Sequence, residues 1–219
     1  MRRVLAASLI FLGACTAALA DNKAAIEQAY ARKLEAQRIQ DVEQRIAARQ
    51  QLLENASASP VLGNPAGNVV IVEFFDYACP YCKAVEPRLE ALLKSDRKVK
   101  LVLKEFPILT PQSMIATRAA LAAVRQGKYR PFHEAMMNFR GQLLEADIFD
   151  MARASGLDIA RLRKDMTAPE ISDEIIANFN LARGIRVFQT PAFIVGGKLM
   201  NSESAAIDFP KAVADARRR

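Results

Sequence analysis

The chain reads as an α/β protein: a sheet domain split by a helical insertion and preceded by a helical extension. Three observations predict this. First, two runs of strand character, Val69–Phe75 and Lys98–Phe106, flank a segment of helical spacing, which implies a right-handed parallel crossover. Second, about 75 residues from 111 to 184 carry helical periodicity, enough to cover one side of a sheet. Third, Gly196-Gly197 between Phe193-Ile194-Val195 and Lys198-Leu199-Met200 is a two-residue hairpin signal. With 219 residues and 51% hydrophobic content, the chain has material for one substantial core plus an appendage.

The chain opens with a basic Met1-Arg2-Arg3, an apolar run from Val4 to Gly13, and Ala18-Leu19-Ala20 before Asp21. This is the pattern of a secretory signal peptide over residues 1–20, and the apolar run is short for a membrane span. Arg2-Arg3 is compatible with twin-arginine export and equally with an ordinary basic n-region. Leu12-Gly13-Ala14-Cys15 resembles a bacterial lipobox, so the alternative to a soluble periplasmic protein is a lipoprotein anchored at Cys15. Cleavage after Ala20 leaves Cys79 and Cys82 as the only cysteines of the mature chain.

Asp21 to Asn55 contains no Pro or Gly and is rich in good helix formers. Its apolar residues are sparse: Ile26, Tyr30 and Leu34, then Ile39, Val42, Ile46 and Leu53. The second group runs at spacings of 3 and 4 and skips a step at Arg49, as a narrow seam would. The spacing predicts one long helix, either a self-association stalk or a solvated helix lying loosely on the domain. The stalk is preferred, because an isolated polar helix is only marginally stable. Ser57, Ser59, Pro60, Gly63, Pro65 and Gly67 then mark a linker and turn region.

Val69 to Phe75 is apolar apart from Glu73, and a run without alternation suits a strand covered on both faces. Cys79-Pro80-Tyr81-Cys82 follows, and Val85, Leu89, Leu92 and Leu93 continue at helical spacing, with a kink expected at Pro87. A helix N-terminus favours negative charge, so a thiolate at Cys79 is stabilised and Cys79 is the expected attacking sulfur, the more exposed and more acidic of the two. Cys82 lies one turn on and closes a small disulfide ring; such a pair exchanges two electrons by thiol–disulfide exchange. A buried carboxylate at Glu73 is costly unless paired or protonated, and its expected use is proton exchange with Cys82. The alternative is an edge strand with Glu73 in solvent.

A zinc site needs about four ligands. Only Cys15 and His133 could join the pair, so neither a metal nor a cofactor is expected. The formal charge of +7 is scattered apart from Arg217-Arg218-Arg219, and nothing points to nucleic acid.

Lys98 to Phe106 reads as the next strand, ended by Pro107 and Pro111. Ser113–Arg125, Leu143–Ala154, Ile159–Met166 and Ile171–Arg183 read as helices. Pro131 to Phe139 carries His133, the one histidine, which is given no role because an isolated histidine is more often structural. Ala205 to Ala216 is the expected closing helix.

Val72-Glu73-Phe74-Phe75-Asp76-Tyr77-Ala78-Cys79-Pro80-Tyr81-Cys82 resembles the active-site segment of the DsbA-like thioredoxin-fold family. The resemblance continues through Lys104-Glu105-Phe106-Pro107-Ile108-Leu109, Gln126-Gly127-Lys128-Tyr129 with Phe132-His133, and Gln189-Thr190-Pro191-Ala192-Phe193-Ile194-Val195-Gly196-Gly197. It covers roughly Val61 to Met200. Gln189 departs from the usual Gly. The resemblance implies a thioredoxin fold over 60–110 and 185–219, a helical insertion over 111–184, an extension and linker over 21–59, and Pro191 as a cis-proline beside the cysteines. Thr190-Pro191 is then expected to present backbone groups to an extended substrate chain, with Pro80 and Tyr81 completing the substrate contacts.

Cys-Pro-Tyr-Cys with Thr before the proline looks more like the DsbC and DsbG isomerases, and the N-terminal helix resembles that of oligomeric suppressor-of-copper-sensitivity C (ScsC) proteins. The resemblance thus implies a periplasmic disulfide isomerase or reductase, a homo-oligomer with a trimer favoured. Its partners would be misfolded exported proteins with disulfides and a DsbD- or ScsB-like membrane reductase. The alternatives are a DsbA-like dithiol oxidase and, from another class, a Cu(I)-binding or holdase protein built on the two soft thiolates.

Overall fold

The structure is a computed structural model that describes residues 3–55, 58–200 and 207–218, with side chains from residue 23 onward. Ser57, Ala205 and Ala206 therefore lie outside the described residues, as does the side chain of Cys15 on which the lipobox reading turns. The elements, in order, are α1 (Arg3–Ala47), α2 (Gln50–Glu54), β1 (Val61–Gly63), β2 (Val69–Phe75), α3 (Pro80–Ser95), β3 (Val99–Glu105), α4 (Pro111–Val124), α5 (Tyr129–Asn138), α6 (Glu145–Ala154), α7 (Ile159–Asp165), α8 (Pro169–Gly184), β4 (Ala192–Val195), β5 (Lys198–Met200) and α9 (Phe209–Arg217). The chain divides into two compact units, residues 1–44 and 45–219.

Within the second unit the five strands form one sheet in the order β1-β3-β2-β4-β5. β2 and β3 are parallel, joined by α3, and β2 pairs antiparallel with β4 on its other side. The strand that carries Glu73 is therefore central, which rules out the edge-strand alternative. Gly196 and Gly197 turn the β4–β5 hairpin with φ of 53° and 80°, a left-handed pair that residues bearing a Cβ adopt only with strain.

Side-chain alternation along β2 and β3 sorts the sheet's two faces. Val69, Ile71 and Phe75, with Val99, Leu101 and Leu103, join Cys82, Val85 and Leu89 of α3 and the buried residues of α4, α5 and α6 in one large core cluster. Glu73 and Glu105 share that parity. The opposite parity buries Phe74 beside Phe106, which in turn packs on Phe179 of α8, with centroids at 5.9 and 5.0 Å. Lys104 also takes this face. Its ammonium donates to the Leu52 carbonyl at 2.9 Å and to Ser59 Oγ at 2.8 Å, and Ser59 Oγ donates to Glu174 Oε1 at 2.6 Å. Burial lowers the Lys104 pKa to about 8.

The single helix expected from 21 to 55 is broken. α1 ends at Ala47 and α2 begins at Gln50. The cause is local: the Arg49 guanidinium donates to the Arg45 carbonyl at 3.2 Å, the acceptor that the Arg49 N–H would use in a continuous helix. That N–H bonds Ile46 O at 2.9 Å instead. Ile46 and Leu53, expected in a stalk seam, are each only 1% exposed and belong to the core of the second unit. Ile26, Tyr30, Leu34 and Ile39 of α1 are exposed.

Candidate active site

β2 delivers the chain to a short loop, and Asp76 fixes that loop. Its Oδ1 accepts from Ala78 N at 2.7 Å, and its Oδ2 accepts from Ile108 N and Leu109 N, each at 2.9 Å. One buried carboxylate thus ties the segment before the cysteines to the segment after β3. The sequence reading passed over Asp76, although Asp-x-Ala ahead of a helix is an Asx-turn signal.

Cys79 is the N-cap of α3, with φ −76° and ψ 116°, and Pro80 occupies the first turn, where its missing N–H costs nothing. Cys79 Sγ accepts from Cys82 N at 3.5 Å and approaches the Thr190 carbonyl at 3.4 Å. The Thr190-Pro191 peptide is cis and lies against the cysteines. Both thiols are free. Hydrogen bonding from the Cys82 thiol, aided by the backbone N–H groups of Cys82 and Tyr81, lowers the Cys79 pKa to about 6 against the opposing effect of burial. Cys82 moves the other way, raised by burial, by its bond to Cys79 and by the Glu73 charge. Cys79 is the more exposed of the two sulfurs only by a narrow margin, at 2% against 0% for Cys82. Acidity, rather than open access, separates the two sulfurs. Tyr81, between them, is 66% exposed.

Glu73 is fully buried and neither carboxylate oxygen makes a hydrogen bond among the described residues. Burial, then the charges of Glu86, Cys79 and Glu105, hold its pKa well above the usual carboxylate range. The structure therefore brings Glu73, Cys79, Pro80, Cys82, Thr190 and Pro191 together at the C-terminal end of β2 and the N-terminal end of β4. It also brings in groups the sequence reading missed: Glu86 on α3, Tyr77 in the loop, Glu105 at the end of β3, and His133 on α5, all buried. Glu105 could have been found by the reasoning that singled out Glu73, since it too is a charge closing an apolar strand. Among the described residues no group of three or more His, Cys, Asp and Glu is arranged to hold a metal ion.

A thioredoxin fold with an acidic N-cap cysteine, a second, buried cysteine one turn on and a cis-proline defines a class of dithiol proteins. The chain belongs to the family of DSBA-like thioredoxin domains, whose model matches residues 70–212. A solved thioredoxin-like oxidoreductase from Silicibacter pomeroyi is 40% identical, with a TM-score of 0.72 over 77% of this chain and 98% of that one. The catalytic domain of Proteus mirabilis ScsC is 25% identical, with a TM-score of 0.72 over 81% and 99%. The thiol:disulfide interchange protein DsbA of Bordetella parapertussis is 28% identical over 65% of this chain and 70% of its own. An Na(+)/H(+) antiporter of Salinispora tropica is 30% identical over 73% of this chain, which spans only 25% of that protein's length.

Proposed function

We propose that the chain is an exported thiol–disulfide oxidoreductase acting on misfolded periplasmic proteins, as an isomerase or reductase. The observation that carries it is the pairing of an acidic Cys79 with a buried Cys82 beside Thr190-Pro191. The Cys79 thiolate attacks a substrate disulfide, and a mixed disulfide forms as the substrate thiolate leaves. Cys82 then loses its proton to Glu73 and its sulfur bonds Cys79, which expels the second substrate sulfur. Thr190 and Pro191 hold the extended substrate chain, and Pro80 and Tyr81 complete its docking surface. A DsbD- or ScsB-like membrane reductase returns the pair to the dithiol.

The exposed Ile26, Tyr30, Leu34 and Ile39 support self-association through α1, with a trimer favoured. Several sites around one misfolded chain raise effective concentration, which suits isomerisation. The leader places the mature chain in the periplasm after cleavage at Ala20, with Cys15 lipidation as the alternative. Among the described residues no helix is long and apolar enough to cross a membrane.

One observation favours a second reading, a dithiol oxidase: a stabilised Cys79 thiolate stabilises the reduced form and makes the disulfide the stronger oxidant. Refolding of a scrambled-disulfide substrate, run beside oxidation of a dithiol peptide, separates the two. Recovery of native pairing supports the isomerase. Oxidation alone supports the second reading, and neither activity overturns both.

A further inference from the structure

Glu86, His133, Tyr77 and Glu105 form a buried series beside Glu73, hydrogen-bonded from His133 to Glu105 and completed by a looser approach of His133 to Glu86. His133 Nε2 lies 3.5 Å from Glu86 Oε1. His133 Nδ1 is 3.0 Å from Tyr77 Oη, and Tyr77 Oη is 3.0 Å from Glu105 Oε1. Tyr129 Oη and Thr117 Oγ1 also donate to Glu105, at 3.1 and 2.9 Å, and Tyr129 Oη lies 3.5 Å from His133 Nδ1 as a longer bridge beside Tyr77. Glu73, Tyr77, Glu105 and His133 are 0% exposed and Glu86 2%. Glu86 follows Cys82 by one helical turn on α3. At this end of the series four polar atoms make no hydrogen bond among the described residues: Glu73 Oε1 and Oε2, Glu86 Oε2 and His133 Nε2. The titratable groups that face the series are Glu73 from β2, Cys79 and Cys82 at the start of α3, Asp76 from the loop, and Tyr129 from α5.

Donor counting gives the series two proton arrangements on the same heavy atoms. With Glu105 ionised, the single Tyr77 hydrogen is committed to Glu105, so the Tyr77 oxygen accepts from His133 Nδ1–H. A proton must then lie between His133 Nε2 and Glu86, because two facing lone pairs repel in a site closed to water. With Glu105 protonated, its O–H donates to Tyr77, Tyr77 donates to His133 Nδ1, and His133 Nε2–H faces an ionised Glu86. The arrangements differ by one proton carried from one end to the other. The Nε2 to Oε1 separation is the longest link, of the kind that tightens on substrate engagement.

We infer that Glu86, His133, Tyr77 and Glu105 are a proton wire that moves one negative charge between Glu86 and Glu105, and so sets when Glu73 exchanges a proton with Cys82. When the charge sits on Glu105, three hydroxyls hold it and Glu86 is neutral. An ionised Glu73 then meets less opposing charge and takes the Cys82 proton. When the charge returns to Glu86, Glu73 keeps its proton. The electron pair of the Cys82 S–H bond forms the bond to Cys79, and the substrate sulfur leaves with the pair from the broken mixed disulfide. The inference rests on the thiol–disulfide reading above and makes the four residues positioning residues that act through Glu73.

The test uses the full chain cycled with glutathione buffers over a pH series. Tyr77→Phe and Glu105→Gln each cut the wire away from the reacting sulfurs, and Thr117→Val removes one donor to Glu105 while sparing the wire. The wire requires that Tyr77→Phe and Glu105→Gln slow the Cys82 step about tenfold and displace its pH profile. Cys79 alkylation stays unchanged, and Thr117→Val stays within about twofold of wild type. Superimposed profiles for all three variants, or equal effects of Thr117→Val and Tyr77→Phe, overturn it. The reduced-minus-oxidised infrared difference spectrum of the unsubstituted chain gives a second readout. Carboxyl bands from more than one group support the wire, and a change confined to the band that Glu73→Gln removes overturns it. A chain that cycles normally without these signatures loses only this inference, whereas one that fails to cycle at all loses the functional reading with it.

Discussion

At the residue scale, burial and hydrogen bonding push the two thiols apart. Iodoacetamide labelling of the reduced protein is expected to titrate Cys79 with a midpoint of about 6 and to label Cys82 later at every pH. Equal labelling rates would sink the assignment of Cys79 as the attacking sulfur. The same shift links stability to pH. Between about 6 and the ordinary thiol value of 9.0, the folded dithiol form has released a proton that the unfolded chain keeps. Stability of the reduced form therefore rises with pH across that window and loses this contribution as pH falls through about 6. Glu73 runs oppositely. Its folded pKa is raised, so above the ordinary carboxylate value of 4.5 the unfolded chain releases a proton that the native state keeps. Glu73→Gln is expected to raise the melting temperature at neutral pH, with the gain disappearing in acid below about pH 4. It should also slow the resolving step by about tenfold or more while Cys79 labelling persists. Unaltered kinetics across the pH series would leave Glu73 with no part in turnover.

At the scale of elements, α2 matters more than its five residues suggest. Leu53 is buried in the second unit, the Leu52 carbonyl caps the Lys104 ammonium, and the Glu54 carbonyl accepts from Lys100 at 2.6 Å. Leu53→Ala is expected to cost about 2–5 kcal/mol in denaturant unfolding, because it empties a closed site. Truncation should follow the same logic. A chain beginning at Arg45 keeps Ile46, Leu53 and the Lys104 partner, whereas one beginning at Ala56 leaves a buried cation without a main-chain acceptor. The first should unfold at nearly the denaturant midpoint of the catalytic unit in the full chain, the second well below it. Matching midpoints for the two truncations would show that α2 adds nothing.

At the scale of the whole molecule, the exposed Ile26, Tyr30, Leu34 and Ile39 are the residues on which the proposed assembly rests. Light scattering of the mature chain is expected to give an oligomer, and the chain beginning at Arg45 a monomer. That monomer should keep dithiol exchange and lose most of its refolding activity on scrambled substrate. A monomeric mature chain, or full refolding activity after truncation, would remove assembly from the account.

Four of the five strands and most helices are legible in the sequence, because each rests on local periodicity: the unbroken apolar run before Cys79, the glycine pair at 196–197, the spacing of 171–183; β1 is the exception, three residues inside a stretch that reads as linker and turn. Cys79 at a helix start is legible too, because Val85, Leu89, Leu92 and Leu93 continue at helical spacing behind the cysteine pair. What only tertiary structure decided are relations between distant segments. Strand order put β2 in the centre and closed Glu73 off from water, which no property of the strand itself dictates. The pleat sent neighbouring Lys104 and Glu105 to opposite faces, one to the Leu52 carbonyl of α2 and the Ser59 hydroxyl, the other to hydroxyls of α4, α5 and the loop. His133 looked isolated because its partners Tyr77 and Glu86 lie 56 and 47 positions away in the chain. Ile46 and Leu53 fit a helical seam equally well whether it faces another copy or the chain's own sheet, because periodicity specifies a face and not what covers it.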